Sequence, residues 1–256
     1  MKKKKVLSLL VVLAGIFTLV ACDDTGESAF DLLMRVEDQT ADVDSMIMEM
    51  EMNMTMRMFG QSIESTSTSR TYTVNLSPNE VLMRSETLTE TMGMEMPSTM
   101  YFRNGMMYMD MMGEQMKFEM PLEEAMQMAN VDGFEFDEDA IISQSISTNG
   151  NNRELNFVLD FGSVMDSLSG ELGTMMEMFG GIDMEGMFDG VSVDLTVVID
   201  ADYQMTSMTM AYEIDIEGTA MSIEMTWTIV QLGGVEITFP DNLDEFEEMD
   251  SMMLGF

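Results

Sequence analysis

Cys22 carries the chain's only thiol, and no histidine accompanies it. Without histidine the commonest general base is missing. So are the Ser-His-Asp and Cys-His nucleophile systems and the usual imidazole zinc ligands. Three kinds of reactive or coordinating group remain. The first is the Cys22 thiol. The second is the thioether, present in 37 methionines, and the third is the carboxylate, present in 47 Asp and Glu side chains against 11 Lys and Arg. Thioethers select Cu(I) among metal ions. Carboxylate pairs could support glycoside hydrolysis, yet no acidic pair is marked out from the solvated background. Trp227 is the single tryptophan on which a sugar could stack. The reading is therefore not an enzyme, and no motif asks for a cofactor.

The surroundings of Cys22 define its chemistry. Lys2, Lys3, Lys4 and Lys5 form a charged start, and Val6 to Ala21 is mostly apolar. This is the pattern of a secretion signal. It is shorter than the roughly 20 apolar residues of a comfortable transmembrane helix. Leu19-Val20-Ala21-Cys22 resembles the lipobox of bacterial lipoproteins. That resemblance implies a diacylglyceryl group on the Cys22 thiol, cleavage just before it and further acylation of palmitate type. Residues 1–21 are then a signal peptide and 22–27 a short spacer. The protein is expected on the extracytoplasmic face of the cell membrane, anchored by lipid. Two acyl chains hold stably where one holds marginally.

Losing the signal removes four basic residues and no acidic one, so a formal charge of −36 becomes still more negative. Lys117 is the one lysine left. Such a surface repels phosphates, so nucleic acid is excluded as a partner. It also repels anionic headgroups, which leaves attachment to the lipid. Self-repulsion favours a soluble monomer. The charge is read as adaptation to salty or alkaline surroundings, in which case added salt should raise stability. With its one cysteine committed to lipid, the exported body must hold itself by its core.

Periodicity supplies the elements. Ser28 and Asp31 have the spacing of a capping box before a helix to about Thr40, with Phe30, Leu33 and Met34 apolar. Met46, Met48, Met50, Met52, Met54, Met56 and Met58 then alternate without a miss. A strand sends successive side chains to opposite faces, so one face is a row of thioethers and the other mostly polar. Residues 62–76 and 81–96 read as strands. Asn104-Gly105 marks a type I′ hairpin turn, and Gly113-Glu114 a further turn. Pro121 suits a first helical turn, with Leu122, Ala125, Met126 and Ala129 on one face. Residues 132–139 are acidic and irregular. Residues 141–147 and 153–161 read as strands, and Val164, Leu168 and Leu172 suggest another helix. Residues 180–190 are rich in glycine yet carry Met187 and Phe188, which suits a mobile flap over an apolar site. Residues 191–239 read as a four-strand meander before Pro240, and an acidic tail follows from 241 to 256.

The fold class expected is α+β: a large curved antiparallel sheet, a half-open barrel, closed by a few helices. The lipobox, the single helix, the Met-rich first strand, the Tyr101 and Tyr108 hairpin and Ile237-Thr238-Phe239-Pro240 together resemble LolA-like lipoproteins. Within that superfamily they are similar to uncharacterised Gram-positive lipoproteins and to mycobacterial lipid-carrying ones. The resemblance spans residues 28–240 and implies an apolar cavity that holds an acyl chain or lipid. Met46, Met48, Met50, Met52, Met54, Met56, Met58, Met187, Phe188 and Trp227 are the expected ligand contacts. Met116 and Phe118 stand where such relatives carry a tryptophan.

Several alternatives to lipid are weighed. The Met row could pack as core, since Met fills irregular gaps, or bind Cu(I). Same-face methionines two apart lie about 7 Å from each other, far for sulfurs to share an ion. Glu213, Asp215, Glu217, Gly218 and Glu224 have EF-hand spacing, but both flanks alternate with period two, and a hairpin accounts for Gly218. Loose divalent-cation binding by surface carboxylates, or a structural surface role without ligand, completes the set.

Overall fold

The computed structural model describes residues 27–40, 43–58, 60–77, 80–122, 125, 136–164, 190–216 and 219–249. One helix, α1 (Ala29–Thr40), opens the body. The capping box forms as its spacing predicts. Ser28 N–H and Oγ donate to Asp31 Oδ2 at 3.1 and 2.8 Å, and Asp31 N–H donates back to Ser28 Oγ at 3.0 Å. Ala29, Leu32, Leu33 and Val36 are buried along one stripe of α1, the spacing of a helix face. Phe30 and Met34 flank that stripe and are partly buried.

Twelve strands follow among the described residues. They are β1 (Ser45–Met58), β2 (Gln61–Ser77), β3 (Glu80–Thr91), β4 (Met94–Arg103), β5 (Met106–Met111), β6 (Glu114–Glu119), β7 (Ile141–Asn149), β8 (Asn152–Asp160), β9 (Ser192–Ile199), β10 (Met205–Ile216), β11 (Thr219–Leu232) and β12 (Glu247–Glu248). They form one sheet in the order β12-β6-β5-β4-β3-β2-β1-β11-β10-β9-β8-β7. Every pairing is antiparallel except β12 with β6. This is the curved, unclosed half-barrel architecture expected from the sequence.

β1 sits in the middle and joins two hairpin series. It pairs with β2 on one side and β11 on the other. That placement corrects the four-strand meander. The edge that a strand after β11 would need is already taken by β1. Gly233 and Gly234, at φ +74° and +67°, turn the chain out of the ladder instead. Gly233 N–H and Val235 N–H are held by the Ser45 carbonyl and hydroxyl at 2.7 and 3.2 Å. The chain then reaches the opposite face of β4 to β6, where Phe239 stacks near Tyr101 and Phe246 meets Tyr108 edge-on, with ring centroids 6.0 and 5.9 Å apart. The segment expected as an acidic tail thus holds buried Leu243 and Phe246, and β12 extends the β6 edge. Lys117 Nζ donates to the Asp244 carbonyl at 2.8 Å.

A second correction concerns residues 81–96, read as one strand. Met92-Gly93 divides it into β3 and β4. Met92 and Gly93 have φ +54° and +75°, and Met112 and Gly113 have +55° and +89° between β5 and β6. Positive φ at two successive positions is the signature of the type I′ turn. Asn104-Gly105 uses the same geometry with the usual residue, at φ +54° and +74°. A methionine in the left-handed region costs about 1 kcal/mol or more where Asn is cheaper.

Pro121 begins a helical turn as expected, since Ala125 N–H bonds the Pro121 carbonyl at 3.1 Å and both Leu122 and Ala125 are helical. Residues 161–164 are also helical, with Val164 buried. Met126, Ala129, Leu168, Leu172, the Gly-rich flap and the signal lie outside the described residues.

Candidate functional site

Cross-strand register fixes which side chains share a face. One row runs Ser69, Met50, Trp227, Met208, Val197, Leu155, Ile146 across β2, β1, β11, β10, β9, β8 and β7. The next runs Ser67, Met52, Met225, Met210, Leu195, Phe157. The neighbouring row on the other face runs Thr68, Glu51, Thr226, Thr209, Thr196, Asn156. The Met row therefore lies on the apolar side of the central strand, and α1 packs on that same side against β7 and β8.

Among the described residues, two separate cores occupy this apolar face. The larger joins α1 to β8, β9 and β10 through Leu32, Val36, Leu155, Phe157, Leu159, Val193, Leu195 and Val197. The smaller joins β3 to β6 through Val81, Met83, Phe102, Met107 and Phe118. Between them lies β1. Met46 is buried, Met48 to Met56 are half-buried at every second position, and Met58 is 38% exposed. Trp227 is half-buried and leans on the larger core. The expected site residues on β1 and β11 thus converge on one strip. Met187, Phe188 and Cys22 lie outside the described residues.

Sequence reading missed a row of hydroxyls beside the Met strip. Ser65, Ser67 and Ser85 are buried. They bond across β2 and β3 to Thr91, Thr89 and Thr71 at 2.6, 3.1 and 3.0 Å. Such pairs satisfy buried hydroxyls and stabilise the sheet modestly. Because β2 carries Ser or Thr at both even and odd positions, its sequence does not show which face is which. The Met row is bounded by hydrocarbon at β11 and by hydroxyls at β2.

The opposite face is charged. A groove of about 470 Å³ there is lined by Glu49, Glu51, Thr68, Arg70, Glu86, Leu88 and Pro97, among others. Arg70 pairs with Glu49 at 3.3 Å and Arg84 with Glu86. Both guanidinium groups stack near the Tyr72 ring, 5.6 and 5.5 Å from its centroid. Each of these cations thus has a carboxylate partner and an aromatic neighbour. On the apolar side, burial pushes the Tyr212 hydroxyl above its usual pKa, and its ring lies 5.1 Å from that of Phe161.

Among the described residues no three His, Cys, Asp or Glu side chains converge as metal ligands. Glu213 and Asp215 stand on β10 and Glu224 on β11, within an antiparallel hairpin, as the period-two flanks require. No helix among the described residues is long and apolar enough to cross a membrane.

The chain belongs to a family of unknown function (DUF6612), whose model matches residues 28–245. It is structurally similar to LprF from Mycobacterium bovis, at 14% identity and a TM-score of 0.40, over 83% of this chain and 96% of that one. It is also similar to a DUF1329 family protein from Desulfovibrio piger, at 11% identity and a TM-score of 0.26, over 84% and 94% of the two chains. A search of curated proteins found no match.

Proposed function

We propose that the protein is a non-catalytic lipoprotein of LolA-like type, anchored through Cys22 on the extracytoplasmic face of the cell membrane, that holds an acyl chain or lipid against its Met face. The observation that carries this reading is the position of the Met row. It lies between two cores, belongs to neither, and is half-buried. Hydrocarbon laid along it removes apolar surface from water at about 25 cal/mol per Å². Flexible thioethers accommodate chains of varied shape. Met187 and Phe188 gate entry in this proposal, and the sequence around Cys22 supports the anchor.

Native mass spectrometry of protein purified from its own host tests the reading. A retained fatty acid or phospholipid is expected, as is its re-uptake after delipidation. A delipidated sample that neither retains nor takes up either one defeats the ligand, and an unmodified Cys22 mass defeats the anchor.

A further inference from the structure

Among the described residues, the hairpin turns of β3 to β6 differ between the two ends of the sheet. At one end stand the connections after β2, β4, β7 and β9, which carry Asn104-Gly105, Asn149-Gly150-Asn151 and Asp200-Ala201-Asp202. These are ordinary polar turn residues. At the other end stand the connections after β1, β3, β5 and β10; the first three carry Met58, Met92-Gly93-Met94 and Met111-Met112-Gly113, and the last carries Glu217-Gly218 in its sequence. Met92 is 75% exposed, Met112 69%, Met94 61% and Met111 47%. Met92 and Met112 occupy the left-handed region, which disfavours side chains of their kind. The same turn geometry is filled by Asn at the opposite end. Two hairpin tips thus share an unfavourable residue choice whose visible product is an exposed apolar side chain. Observed backbone strain of this kind points to function.

The described body begins toward the same end. β7 begins there, and the start of α1 is fixed beside it: Phe30 N–H bonds Gln144 Oε1 at 2.9 Å, and the Phe30 ring lies 5.9 Å from that of Phe136. Arg35, further along α1, stacks on Tyr203 at the polar-turn end. α1 therefore runs away from the Met tips, and its N-terminus faces their end. The chain between Cys22 and Ser28 can span at most about 20 Å. β7 is the opposite edge strand of the sheet from β6, so an anchored Cys22 would bring this end of the sheet to the bilayer from the β7 side.

We propose that the methionine hairpin tips are a docking rim that seats on the surface of a lipid bilayer; this rests on the Cys22 anchor proposed above. Exposed apolar side chains next to polar backbone suit the interfacial zone rather than the bilayer core. Glu90, Glu95 and Glu114 ring the tips and keep the seat shallow. Their charge makes the rim prefer zwitterionic over anionic lipid, the more so at low salt. The apolar face then opens beside the membrane from which its ligand comes.

The test uses the mature lipidated chain, in which Cys22 is capped and an introduced cysteine is the single free thiol. An environment-sensitive dye is placed at Met112→Cys, or at Asn151→Cys at the other end, and the protein is bound to phosphatidylcholine vesicles containing nitroxide-labelled lipid. The dye at 112 is expected to blue-shift and be quenched, while the dye at 151 stays unquenched. Replacing Met92, Met94 and Met112 by Ser should weaken vesicle partitioning roughly tenfold without lowering the melting temperature. A chain that floats with vesicles while position 112 stays unquenched overturns the docking and leaves the anchor standing. A chain that does not float overturns both. A blue shift that grows with protein concentration in the absence of vesicles assigns the rim to self-association and also overturns the docking.

Discussion

The two halves of this sheet solve the same packing problem with different residues. Beyond β1 toward β7, inward positions are Leu155, Phe157, Leu159, Val193, Leu195 and Val197, nearly or fully buried, and α1 covers them. Toward β6, inward positions mix methionines and hydroxyls with a small buried core of Val81, Phe102 and Phe118. That half is thin enough to need cover on both faces: Phe102 and Met107 pack on one side, while Phe239, Leu243 and Phe246 pack over Tyr101 and Tyr108 on the other. Stiff aliphatic side chains specify one arrangement, whereas thioethers tolerate several. The comparison assigns rigidity to the β7 half and adaptability to the β1-to-β6 half.

The largest effect should come from the rigid half. Phe157→Ala removes a side chain that is 2% exposed and in edge contact with Phe136, and should cost about 4 kcal/mol of unfolding free energy, read by urea denaturation. Phe246→Ala, in the strap over β4 to β6, should cost about 3 kcal/mol. It should also speed hydrogen exchange in β6 and leave β8 unchanged, because β12 and Lys117 tie the strap to that edge. An equal loss of protection in both halves would erase the distinction. Ser67→Ala breaks the bond to Thr89 and should cost about 1 kcal/mol, measured in the same denaturation series.

The smallest effect is a pH dependence. The Ser28 hydroxyl and N–H hold the Asp31 carboxyl below the usual carboxylate range. A carboxylate depressed in the folded state contributes stability above its unfolded pKa and loses it as pH falls through the folded value. Helix α1 should therefore loosen in acid, and Asp31→Asn should remove that part of the acid limb while weakening the cap at neutral pH. A melting-temperature series against pH in both chains reads it.

Period-two patterning made most of the sheet legible. The Met row, the β9 to β11 alternation and the Asn104-Gly105 hairpin all stand where their spacing puts them. The β3–β4 turn was hidden because Met-Gly is not a turn signal; only the glycine hints at it, and the Met in left-handed conformation gives no warning. The course of residues 235–249 was hidden for a different reason. Val235, Ile237 and Phe239 alternate like a strand, but whether a ladder position is free depends on β1, which pairs with β11 across most of the chain. The hydroxyl row failed as a signal because both faces of β2 are polar. The candidate site was legible as a face, through the methionines, but its boundary at β2 and β3 was not.

The central position of β1 also sets a timetable. A chain made from its N-terminus releases β1 long before β11, its partner, exists. Until then the Met strand is paired on one side only, and the sheet cannot be completed in the order it is synthesised. Pairings so distant in sequence close slowly, so the last seam to form should be the one that runs beneath the thioether row.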